Sequence, residues 1–149
     1  MTEPWRLRTI VVPIDFSECS RRALDLARFL AKETGPGHLV LIHAYFVPVE
    51  LEALAEEAHE PILDIVSQRA TEDLERILVE LQDEGISAEF AAHRGGPERT
   101  IVDVAAKKGA DLIVMGTHGR TGLAHVLLGS VAERVVRTAH CPVITVKPT

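Results

Sequence analysis

Long uninterrupted apolar runs are missing from this chain. No stretch reaches the roughly 18 residues that a membrane-spanning helix needs, so no transmembrane segment is expected. Met1 to Arg8 contain Trp5 and two arginines but no apolar core, so no secretory signal is expected either. A basic surplus is also lacking. Lysine and arginine number 16 against 22 aspartates and glutamates, a net charge of −6, which disfavours nucleic acid as a partner. Cysteine is scarce. Cys19 and Cys141 make no disulfide framework, and a reducing, cytoplasmic setting is expected. Cys19 reads as a small residue packed near a helix start, and Cys141, before Pro142, as one packed against a sheet. The seven histidines lack tight metal spacing, and His118 and His125 lie seven residues apart across a loop, so no zinc site is expected. Internal repeats and a domain boundary are absent as well, so residues 1–149 are expected to form one domain. At 46% apolar content, a chain of this length can bury a full core without disulfides or metals.

What is present is an alternation of short apolar runs with segments of helical period. Thr9 to Ile14 is continuously apolar, as suits a strand covered on both faces. Ser17 is a good N-cap for a helix to about Lys32, with Ala23, Leu24, Ala27, Leu30 and Ala31 on one face. A second strand spans His38 to Ala44. Residues 46–60 form an acidic connector with room for a short helix, and a long helix runs from about Pro61 to Glu84. The third strand, Ile86 to Ala92, alternates and suits an edge or half-exposed place. A helix follows Gly95-Gly96-Pro97 and stops before Gly109. The fourth strand is Asp111 to Met115, the last helix Ser130 to His140, and the fifth strand Pro142 to Val146. Strand–helix alternation implies parallel strands and right-handed crossovers. The expectation is an α/β fold with a doubly wound five-stranded parallel sheet, order 3-2-1-4-5, and four helices.

In such sheets ligands sit beyond the carboxyl ends of the strands where the order reverses. Here that is between strands one and four. Asp15 closes strand one. After strand four comes Gly116-Thr117-His118-Gly119-Arg120-Thr121-Gly122, and Gly129-Ser130 opens the last helix. Glycines permit positive φ and close backbone approach, so several N–H groups can converge on an anion. The helix start adds free N–H groups and the positive end of a dipole, and Ser130 adds a hydroxyl. A phosphate site is therefore expected rather than a loop that merely needs turn glycines. The P-loop pattern G-x-x-x-x-G-K-[ST] is absent, as is G-x-G-x-x-G after the first strand. The first turn, Asp15-Phe16-Ser17-Glu18, has two acids and no glycine, which argues against a flavin phosphate. Lys147-Pro148 is similar to the end of receiver domains, but Ala91-Ala92-His93-Arg94 holds no phosphoacceptor aspartate.

Gly116-x-x-Gly119, nine residues, then Gly129-Ser130 resembles the signature G-2x-G-9x-G-[ST] of the universal stress protein family. Val12-Pro13-Ile14-Asp15-Phe16-Ser17, Leu41-Ile42-His43-Ala44, Gly95-Gly96-Pro97, Ala110 to Gly119 and His140-Cys141-Pro142-Val143 are similar to other runs of that family. The resemblance implies an adenine nucleotide alpha hydrolase-like fold and binding of ATP, with Mg²⁺ on its phosphates. Carried onto matching positions, it implies Asp15 against the ribose or adenine, Pro13 and Ile14 lining the adenine slot, and Ala44 offering its backbone to the base. It further implies Met115 and Gly116 beneath the site, with Gly119, Gly129, Ser130 and Val131 on the phosphates. His118 and Arg120 join this set. His118 reads as a supporting loop residue rather than a base, and Arg120 as either a phosphate partner or a solvated charge. The set contains no catalytic group, so the reading is a regulatory or stress-response nucleotide binder. The alternatives are a slow ATPase and a nucleotide-free interaction module. Val143-Ile144-Thr145-Val146 is too apolar for an open edge, and the resemblance implies homodimers joined through that strand.

Overall fold

The computed structural model describes residues 6–35, 37–119 and 128–149. In chain order it contains β1 (Thr9–Pro13), α1 (Glu18–Glu33), β2 (His38–Tyr45), α2 (Val49–Glu57), α3 (Ile62–Asp83), β3 (Ser87–Arg94), α4 (Pro97–Lys108), β4 (Leu112–Gly116), α5 (Ser130–Thr138) and β5 (Val143–Val146). The five strands are parallel in the order β3-β2-β1-β4-β5. That order and the parallel sense agree with the sequence reading.

The unbroken apolar runs of the inner strands follow from two covered faces. Successive side chains alternate. Ile10, Val12, Leu39, Leu41, Leu112 and Val114 point to the side of α1 and α3, where they meet Ala23, Ala27, Leu74 and Leu81. Val11, Val40, Ile42, Ile113 and Met115 point to the side of α4 and α5, against Ile101, Ala105, Ala132 and Val135. Each fully buried aliphatic side chain contributes about 1.5–3 kcal/mol of transfer free energy. Such consecutive burial is what holds β1, β2 and β4 at the centre.

Polar devices set the ends. Ser17 caps α1 by accepting from the Ser20 N–H at 3.2 Å. Gly109, at φ 59°, closes α4 in the left-handed conformation that a side chain would resist. The Asp111 carboxylate accepts the N–H groups of Arg8 at 2.8 Å and Thr9 at 2.9 Å, which tethers the start of β1 beside β4.

The expected helix count needs correction. The described residues contain five helices, not four, because the connector folds into α2. Pro48 stands at its N-cap, and Glu50 and Glu52 occupy the first turn, where the positive end of the helix dipole favours carboxylates. Ala55 is buried, and Glu52 meets Arg94 at the end of β3 at 2.6 Å. The segment reads as a connector because its apolar residues do not gather on one inward stripe. Phe46, Val49, Leu51 and Leu54 are exposed. Smaller differences lie at the borders. β1 ends at Pro13 rather than Ile14, and α5 ends at Thr138 because Ala139 turns to ψ 144° ahead of Pro142.

Candidate functional site

The crevice expected at the switch point exists, and the chain's own chemistry opens it. The Ile14 N–H donates to the Ile42 carbonyl at 2.7 Å, so Ile14 faces β2 with its amide. By alternation the nitrogen of Pro13 faces β4, and it carries no proton. Pairing of β1 with β4 covers Ile10↔Leu112 and Val11↔Ile113 and goes no further. β4 instead follows β5, where the Thr117 N–H donates to the Val146 carbonyl at 2.9 Å. The two strands part, leaving a cavity of about 410 Å³ at their carboxyl ends.

Eleven of the twelve residues expected at the site line this one cavity. Pro13, Ile14 and Asp15 come from the end of β1 and Ala44 from β2. Met115 and Gly116 end β4, His118 and Gly119 follow it, and Gly129, Ser130 and Val131 open α5. Arg120, the twelfth, lies outside the described residues, as does the loop from 121 to 127.

The three signature glycines serve close approach rather than positive φ. A β-carbon on Gly116 would stand 2.6 Å from the Cys19 β-carbon, where β4 crosses the start of α1. One on Gly119 would stand 2.8 Å from Asp15 Oδ2, and one on Gly129 2.7 Å from the Thr117 carbonyl oxygen. Gly129 donates its N–H to that same oxygen at 2.7 Å. Thr117 is thereby tied to β5 through its amide and to α5 through its carbonyl. Its hydroxyl lies 2.8 Å from His118 Nδ1.

The helix starts divide into two kinds. At α1, Ser17 occupies the N-terminus, and Asp15 Oδ1 accepts from both the Ser17 N–H, at 2.9 Å, and the Ser17 hydroxyl. At α5, the cap is Gly129 and no side chain caps the first-turn N–H groups. Ser130, Val131 and Ala132 of that turn line the cavity. α4 likewise starts uncapped, from Gly96-Pro97, and Pro97 lines the cavity as well. The start of α5 therefore offers unsatisfied donors, suited to an anion, while Pro97, which has no N–H, joins Ile14, Ile42, Ile101 and Met115 in an apolar wall.

Sequence reasoning missed Ser20, Ile42, Pro97, Ile101, Thr117 and Ala132 among the lining residues. The proline at the first position of α4 was visible as a helix start, but nothing local says that this helix end meets the same crevice. Thr117 occupies an unspecified position within G-x-x-G, and only its long-range bonds reveal its part. Among the described residues no group of three or more His, Cys, Asp and Glu side chains converges to hold a metal ion. No described helix is long and apolar enough to cross a membrane.

The universal stress protein family model matches residues 6–147. Universal stress protein MJ0531 of Methanocaldococcus jannaschii is 39% identical over 140 residues, covering 94% of this chain and 82% of that protein. The solved structure of MJ0577 from the same organism superposes with a TM-score of 0.85 at 33% identity, covering 96% and 97% of the two chains. A universal stress protein solved in complex with cAMP superposes with a TM-score of 0.63 at 28% identity, covering 97% and 99%. With its signature glycines packed around one crevice and nearly the whole chain matched, the protein belongs to the universal stress protein family.

Proposed function

We propose that this protein binds an adenine nucleotide, ATP with Mg²⁺ in the first place, in the crevice between β1 and β4. The observation that carries this reading is the convergence of the separate stretches 13–15, 44, 115–119 and 129–131 on one cavity of about 410 Å³. That volume is within the range of about 300–1,000 Å³ typical of small-molecule sites. Its composition suits the ligand. The apolar wall receives the base, with Pro13 and Ile14 beside it, the Ala44 backbone at its edge, and Met115 and Gly116 beneath. Asp15 faces the ribose. Gly119, Gly129, Ser130 and Val131 hold the phosphates at the uncapped start of α5, with His118 and Arg120 alongside. Mg²⁺ would be held by the phosphate oxygens of the nucleotide, where it would offset their charge.

Binding and release are the whole activity of this reading, and the output is regulatory. The protein acts as a stress-response homodimer joined through Val143, Ile144, Thr145 and Val146 of β5, in the cytoplasm, with neither nucleic acid nor membrane as its partner. β5 supports this as an outer strand with Ile144 37% exposed. Calorimetric titration of nucleotide-free protein with ATP and Mg²⁺ is the test. A dissociation constant near about 1 µM, about −8 kcal/mol, is expected. No saturable heat up to millimolar ATP would refute the reading. A second ligand has an observation in its favour, because a solved relative holds cAMP. Tighter binding of cAMP than of ATP in competition would transfer the site to the cyclic nucleotide.

A further inference from the structure

We propose that His43, which lies outside the cavity, is a positioning residue that keeps the Ala44 backbone open to the base. This inference rests on the nucleotide reading above. His43 Nδ1 lies 2.7 Å from the Ile14 carbonyl oxygen. A carbonyl only accepts, so Nδ1 carries the proton and donates, in the neutral ring as in the charged one. The ring is held there by Phe16, 4.9 Å between centroids, and by Tyr45 at 6.5 Å. Phe16 has φ 65°, a left-handed conformation at which the chain leaves β1 and turns the ring towards His43.

The consequence is on the neighbouring strand. The Ile42 carbonyl accepts from Ile14, so the polar groups of Ile42 face β1. Two residues on, those of Ala44 face the same way. Continued parallel pairing would give the Ala44 N–H to the Ile14 carbonyl. Among the described residues that bond is not formed, and the His43 ring occupies the carbonyl instead. The ladder stops one step early, and the N–H and C=O of Ala44 are left directed at the cavity that Ala44 lines. A donor and an acceptor side by side suit the Watson–Crick edge of adenine, which offers an acceptor next to an amino group.

The test compares His43→Leu, which lacks the donor, with His43→Asn, whose amide nitrogen can reach the place of Nδ1. ATP and inorganic tripolyphosphate are titrated into both variants and the parent protein. His43→Leu is expected to weaken ATP about tenfold or more, as for the loss of a hydrogen bond to a base edge, and to leave tripolyphosphate unchanged. His43→Asn is expected to recover most of the loss. Equal loss for both ligands, unchanged ATP affinity in His43→Leu, or no recovery in His43→Asn overturns the proposal while leaving the nucleotide site intact. Failure of the parent protein to bind ATP overturns the nucleotide reading, and this role with it. Two readouts need neither ligand nor a folded variant. Nitrogen NMR of the parent protein is expected to show the Nδ1–H tautomer, and hydrogen exchange to find the Ala44 amide faster than those of Val40 and Leu41. An Nε2–H tautomer or a protected Ala44 amide overturns the proposal.

Discussion

Gly119 and Gly129 look alike in the signature, yet the structure separates what they do. The β-carbon of Gly119→Ala would press on the tip of a side chain, Asp15 Oδ2, which can rotate away, although Oδ1 would then give up Ser17. That of Gly129→Ala would press on the Thr117 main-chain carbonyl, which cannot move without α5 and β5. Gly119→Ala is therefore expected to keep its melting temperature within a few degrees and lose about tenfold or more in ATP affinity. Gly129→Ala is expected to lose stability itself, by about 1–3 kcal/mol. Thermal melts and titrations of both variants check this, and equal melting temperatures would contradict it. Cys141 gives a second test at this scale. Burial pushes its thiol pKa up, and the neighbouring Asp111 charge adds to the shift. Cys141 is expected to remain a thiol at pH 7 and to react with iodoacetamide more slowly than a free cysteine. Its rate should still be rising above about pH 9, as peptide mass spectrometry can follow. Gly116, Gly119, Gly129 and Ser130 were legible at this scale because glycine and a helix-start serine announce backbone needs, whereas Ile14, Ala44 and Met115 were reached only through the family resemblance. Ile42 and Ile101 were not legible, since an apolar residue on a buried face carries no mark of which cavity it meets.

Between elements, ion pairs join helix to helix and sheet to helix. Glu84 of the α3 C-cap meets Lys32 at 2.7 Å and Arg28 at 3.4 Å, both on α1. Glu89 of β3 meets Lys108 of α4 at 2.7 Å and His38 of β2 at 3.4 Å. Hydrogen bonding from Lys32 and from Lys108, respectively, is the main cause that lowers the two carboxyl pKa values below the usual 4.5. Lowered folded-state values mean that this stabilisation is complete above about pH 4.5 and is lost as pH falls through the depressed values. The double variant Glu84→Gln, Glu89→Gln is expected to be somewhat less stable at pH 7 and to lose less than the parent between pH 5 and 3. Parallel pH profiles of urea unfolding would contradict this. Both pairs are partly exposed, so salt should narrow the difference. α2 shows where element reading stops. Its first turn carries the right acids, but Glu52–Arg94 and the packing of Ala55 are contacts with distant chain. A local pattern cannot report them.

For the whole molecule, the sheet has two outer strands, β3 and β5. β5 is four residues long, and Ile144 is 37% exposed on it. If two chains join there, Ile144→Lys is expected to shift sedimentation at tens of micromolar from dimer to monomer while leaving the monomer folded. A parent protein that sediments only as monomer would refute the dimer. By itself the sequence determined the strand–helix alternation, the central place of the apolar runs and the position of Asp15 and the glycine loop beyond β1 and β4; the rest of the expected site residues came from the family resemblance. The former follow from local properties: side-chain period, caps, the backbone freedom of glycine and the fixed φ of proline. Tertiary structure alone decided that the connector folds as α2, that Thr117 ties β5 to α5, and that His43 takes the Ile14 carbonyl from the ladder. Each depends on partners far apart in the chain, and their free energy exists only once the sheet has brought those partners together.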